Sequence, residues 1–158
     1  MDGKYYADRA WAQTSALLSI DSPTGYTEEA AAWVQAAFAA LGFPAQRTVK
    51  GGVLADLGGA DGDGALLLEA HADTLGGMVA EIKGNGRLRI VNLGGMNANN
   101  AEAENCRVVT KFHGVYEGTL QLVNASLHVN GDYSTTSRKF DVMEVVLDEA
   151  ADTAEAVK

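Results

Sequence analysis

Between Ala65 and Ala70 the chain reads Ala-Leu-Leu-Leu-Glu-Ala, an apolar run broken only by Glu69 and followed directly by His71. Successive side chains on a strand point to opposite faces, so a run without alternation suits a strand covered on both sides. Such strands belong to layers of helices packed on a sheet, and the run therefore predicts a layered α/β start. What precedes it agrees. Over residues 3 to 20, Ala7, Ala10, Trp11, Thr14, Leu17 and Leu18 recur at helical spacing. The segment Asp21-Ser22-Pro23-Thr24-Gly25-Tyr26 is a turn by composition. Thr27 then stands as an N-cap, with Glu28 and Glu29 at the positive end of the helix dipole. That second helix runs to about Leu41, with Ala30, Val34, Ala37, Phe38 and Leu41 as its buried face and Gly42 as its C-cap. Residues 45–50 and 53–57 read as two strands around Gly51-Gly52.

Beyond Leu75 the period changes to β. Residues 78–83 and 87–93 form a predicted hairpin around Gly84-Asn85-Gly86, residues 94–105 a loop, and 106–112, 118–123 and 140–146 further strands. A short helix is expected near Asp148, with Ala151, Ala154 and Val157 on its apolar side. The chain stops at Lys158 inside that helical pattern, which is how a cut chain looks. The residues thus predict a layered α/β start followed, from Leu75, by a β-rich stretch.

Charge and cysteine content exclude several classes. A net charge of −9, with Lys and Arg scattered rather than clustered, disfavours nucleic-acid and membrane-surface partners. No apolar stretch approaches the roughly 20 residues that span a bilayer. One cysteine, Cys106, cannot form an internal disulfide, and it reads as a packed side chain. With no basic-then-apolar leader at the start, a cytoplasmic location is expected.

The chemistry concentrates at the end of the apolar run. Glu69, His71 and Asp73 occupy alternate positions where the strand leaves its sheet, so all three are able to project one way. A metal takes a neutral imidazole nitrogen, and a carboxylate on the other ring nitrogen fixes the tautomer. His71 with Asp73 offers that pair, although the tripeptide taken alone favours a histidine merely satisfied by a nearby carboxylate. One histidine does not hold zinc, which takes three or four ligands. His113, expected in a hairpin turn, and His128, in a polar loop, read as surface histidines.

Ser22-Pro23-Thr24-Gly25 with Glu28 and Glu29, the run Leu66 to Asp73, then Leu75-Gly76-Gly77-Met78-Val79 and the hairpin closing on Gly94-Gly95 follow in a characteristic order. Together they resemble the glutamyl or tetrahedral aminopeptidase family of dinuclear metallopeptidases. The resemblance covers essentially the whole chain and is strongest from Ser22 to Gly95. It implies that His71 binds one of two divalent metal ions (zinc, cobalt or manganese) and that Asp73, the catalytic-site carboxylate, orients it. It also implies an α/β catalytic domain interrupted after this motif by a β-barrel-like insert, peptide substrates, and homo-oligomers built through the insert.

The remaining ligands and the glutamate general base of such enzymes lie beyond the insert, and no counterpart stands here. Asp148-Glu149 reads instead as a helix start. The implied protein is thus a metal-dependent aminopeptidase fragment, inactive alone, with no metal necessarily bound. A binding or assembly module, or an unrelated α/β domain with a structural His-x-Asp, are the alternatives.

Overall fold

Residues 2–158 are described by a computed structural model, which divides into a unit ending at Leu75 and a unit spanning Gly76–Lys158. The first unit opens with α1 (Gly3–Leu18), whose Asp2 cap accepts the Lys4 N–H at 3.0 Å. None of its residues is buried, and Trp11 and Leu18 stay exposed, so the predicted apolar stripe has no core beneath it. Helix α2 (Glu28–Ala40) buries Ala30 and Ala31; Val34, Ala37 and Phe38 are only partly covered, and Leu41 is exposed. Thr27 does precede this helix, but its hydroxyl makes no capping bond; its carbonyl accepts the Ala31 N–H at 3.0 Å. The helix ends as Gly42 requires. Its φ of +87° lets Gly42 N–H reach the Ala39 carbonyl and Phe43 N–H the Phe38 carbonyl, at 2.9 and 3.0 Å.

Strands β1 (Ala45–Arg47) and β2 (Val53–Ala55) pair antiparallel, with Ala45 opposite Ala55. The Gln35 amide donates to the Ala45 carbonyl at 2.8 Å and Arg47 reaches Glu28 at 2.7 Å, tying the hairpin to α2. Residues 65–70 depart from expectation. They form no strand, and Leu66, Leu67 and Leu68 are exposed. A strand needs a neighbour for its backbone groups, and among the described residues no segment pairs with this one.

The second unit is a five-stranded antiparallel sheet in the order β3-β4-β7-β6-β5. Its strands are β3 (Gly76–Ile82), β4 (Leu88–Leu93), β5 (Asn105–Val109), β6 (Val115–Leu122) and β7 (Met143–Leu147). The pleat alternates cleanly in three of them. Leu88 and Ile90, Leu120 and Leu122, and Met143 and Val145 point to one face and form the core. A four-residue helix α3 (Ala98–Ala101), inside the segment expected as plain loop, adds Ala98 and Ala101 to it. Asn97 caps that helix through the Asn99 N–H at 2.9 Å.

The β3–β4 turn is closed by Lys83 N–H to the Arg87 carbonyl at 2.9 Å. Gly86, at φ +75°, lies so near residue 151 that a Cβ would stand 2.0 Å from the Ala151 carbonyl oxygen. Between β6 and β7, residues 140–142 are a 3₁₀ turn rather than the start of a strand. The last helix α4 (Ala154–Val157) begins at Thr153, whose hydroxyl accepts the Ala156 N–H at 3.2 Å, so Asp148-Glu149 is not its start. Asp148 instead donates its N–H to the Glu117 carbonyl at 3.0 Å.

Two charged clusters complete this unit. Glu144, on the face opposite Met143 and Val145, is 1% exposed beneath Lys83, 2.5 Å away, and Arg87. Glu102 binds Arg138 at 2.7 Å and accepts from the Tyr133 hydroxyl at 3.2 Å. The Arg138 guanidinium lowers the Glu102 carboxyl below the usual range, against the opposing effect of desolvation and with a smaller hydrogen bond from Tyr133. Among the described residues, no helix is long and apolar enough to cross a membrane.

Candidate metal half-site

Two segments far apart in sequence meet at the end of the first unit. Ser22-Pro23-Thr24-Gly25-Tyr26 turns sharply, with Tyr26 N–H on the Pro23 carbonyl at 2.8 Å and Gly25 at φ +92°. A glycine at that place is what a turn with a left-handed third residue demands. Ser22 is buried, and its carbonyl accepts the Thr74 N–H at 2.7 Å. Pro23 and Thr74 form an isolated parallel bridge. The turn after α1 and the end of the unit are thereby pinned side by side, and Thr24 comes to Asp73.

His71 and Asp73 come together through a local contact rather than through strand alternation, since residues 65–73 form no strand. His71 Nδ1 lies 3.0 Å from Asp73 Oδ1 and 3.0 Å from the Asp73 carbonyl oxygen. Both contacts are acceptors, so a neutral ring satisfies them by carrying its proton on Nδ1, which leaves the lone pair on Nε2. The His71 side chain is 86% exposed, so that nitrogen is open to a ligand. Asp73 Oδ2 accepts the Thr24 hydroxyl at 2.6 Å. The Thr24 bond, then the bond to His71, lowers the Asp73 carboxyl below its ordinary range. Glu69 is exposed and joins neither residue. Thr24 escaped the sequence reading because its segment looked like a turn and nothing more. A polar residue between proline and glycine, opposite the motif in the resemblance, was the signal available.

His113 lies at the exposed tip between β5 and β6, and His128 in an exposed loop, as expected. Cys106 is half-buried, with Sγ 3.4 Å from the Gly118 carbonyl; burial, and secondarily Asp148, pushes its thiol up, so it is no activated nucleophile. Among the described residues, no group of three or more His, Cys, Asp or Glu side chains is placed to hold a metal ion. The chemistry of His71 and Asp73 fits one coordination position and not a closed site.

The profile of the M42 glutamyl aminopeptidase family matches residues 51–158. YhfE of Bacillus subtilis (strain 168), assigned as an aminopeptidase, is 40% identical over 133 residues, which are 84% of this chain and 38% of that protein. Among solved structures, a TET aminopeptidase from the marine sediment archaeon Thaumarchaeota archaeon SCGC AB-539-E09 superposes with a TM-score of 0.77 at 18% identity, over 96% of this chain and 41% of that one. The TET1 peptidase of Pyrococcus horikoshii, which assembles into a tetrahedron or a large octahedral shell, gives 0.72 at 23% identity, over 92% and 42%. These two likenesses are of fold. The chain spans 38% of the length of the curated relative it matches.

Proposed function

The chain belongs to the M42 glutamyl aminopeptidase family, and on that premise we propose that it supplies one metal ligand to a metal-dependent aminopeptidase acting on peptides. The family match leaves no room for an unrelated α/β domain. The observation that carries the proposal is the His71–Asp73 pair, with Nδ1 occupied and Nε2 facing solvent. His71 is the ligand, through Nε2. Asp73 holds its tautomer and orientation. A divalent ion bound in such an enzyme polarises the scissile carbonyl and acidifies water. No step is assigned through it here, because the residues present fit a single coordination bond.

In this reading residues 1–73 belong to the catalytic domain and residues 74–158 to a β-rich insert through which copies of the chain associate. The assembly of the Pyrococcus horikoshii relative supports association. The chain alone binds metal weakly and turns over no peptide. Titration of Co²⁺ into the chain and into His71→Ala, followed by visible absorption, tests the ligand assignment alongside hydrolysis of an aminoacyl nitroanilide. Weak binding lost in the variant, with no hydrolysis by either, is the expected result. Equal binding by both proteins overturns the assignment of His71, and hydrolysis by the chain alone overturns the incomplete site.

A further inference from the structure

We propose that Thr24 is a positioning residue for the His71–Asp73 pair: its hydroxyl fixes the Asp73 carboxylate and, through it, the imidazole. The role in metal binding rests on the proposed ligand reading of His71. The role in orienting the ring does not.

A carboxylate on a single-residue side chain turns easily, because its terminal torsion is broad and roughly two-fold. With one oxygen engaged by His71, the plane of the group is still free to swing and exchange its two oxygens. The Thr24 hydroxyl removes that freedom by taking Oδ2 at 2.6 Å while Oδ1 keeps His71 Nδ1 at 3.0 Å. Both oxygens are then assigned. A hydroxyl only orients a partner if it is itself held, and Thr24 is held on either side. The Pro23–Thr74 bridge and the Thr74 N–H on Ser22 pin the segment carrying Asp73 beside the turn, and the Gly25 turn sets the direction in which Thr24 points. In the second unit, the charged groups around Glu144 and around Glu102 have their own partners.

The test uses the full chain labelled with ¹⁵N in histidine, in the alkaline range where the ring-nitrogen shifts no longer change with pH. The tautomer of His71 is read from its ring nitrogen shifts in wild type, Thr24→Val, Thr24→Ser and Thr24→Ala. Wild type and the serine variant hold the proton on Nδ1. The valine variant keeps the Asp73 carbonyl as an acceptor but loses the fixed carboxylate, so part of the population moves to the Nε2–H form, and the alanine variant gives the same answer if valine disturbs the turn. A tautomer population unchanged in both valine and alanine variants overturns the proposal, as does failure of serine to restore the wild-type value.

A Co²⁺ titration is run in parallel, with an expected weakening of about tenfold in Thr24→Val, the scale typical of lost outer partners. Where Co²⁺ binds equally to wild type and His71→Ala, the ligand reading has failed. The tautomer result still decides the role of Thr24.

Discussion

Leu66, Leu67 and Leu68 offer the sharpest quantitative test, because sequence and structure assign them opposite environments. A leucine in a strand covered on both faces loses about 2–5 kcal/mol on truncation to alanine. In the structure these residues remain 83%, 70% and 79% exposed. Between about a sixth and a third of each side chain is covered, and full burial of a leucine contributes about 1.5–3 kcal/mol. Each truncation is therefore expected to cost about 0.5 kcal/mol, and the triple change Leu66→Ser, Leu67→Ser, Leu68→Ser about 1.5 kcal/mol. Urea unfolding followed by tryptophan fluorescence measures this directly, since Trp11 and Trp33 both lie in the first unit. Sedimentation velocity on the same samples reports self-association, which the triple variant reduces, because three adjacent exposed leucines with unpaired backbone form an adhesive edge. A loss above about 3 kcal/mol for any single truncation refutes the reasoning and shows the segment to be covered in solution.

In the second unit, Glu144→Gln removes the charge that Lys83 and Arg87 share. A loss of about 2–3 kcal/mol is expected by urea unfolding, because both cations keep some access to water. Gly86→Ala is expected to cost about 3 kcal/mol or more, combining left-handed strain with the clash against the Ala151 carbonyl; a neutral outcome places residue 151 elsewhere. For Glu102 the folded-state carboxyl lies below its ordinary value of 4.5, so its contribution is complete above that value and fades as pH falls through the lower folded one. The stability gap between wild type and Glu102→Gln, measured by thermal melts, should therefore be flat near neutrality and close in acid. A gap that widens in acid contradicts the Glu102–Arg138 assignment.

Local patterns were legible where the chain carries its own answer. The Gly42 cap, the Gly84-Asn85-Gly86 turn and the strand expected over 118–123, which falls within β6, all depend on neighbours close in sequence. Residues 65–70 were misread because the rule relating apolar runs to covered strands assumes a covering layer, and none of the described residues provides one. The same dependence explains Trp11 and Leu18, whose spacing is helical but whose burial needs a surface to lie on. Asp148-Glu149 looked like a helix start because acidic pairs favour that place, yet the Thr153 hydroxyl was the better cap. His71 with Asp73 was readable because two positions separate them. Thr24 was not, because its partner lies 49 residues away.

That separation also bears on when the half-site exists. The Pro23–Thr74 bridge closes a chain loop that contains α2 and the β1–β2 hairpin, and closing so long a loop carries an entropic cost that local structure does not share. Helix and hairpin can form early, each on its own contacts. Residues 73 and 74 are tied to the 22–24 turn by the Thr74 N–H on the Ser22 carbonyl and the Thr24 hydroxyl on Asp73. When that clasp opens, Asp73 loses its anchor while α2 and the hairpin keep theirs. The geometry around His71 thus depends on a contact between distant parts of the chain, and any ligand that binds it stabilises the closed loop in return.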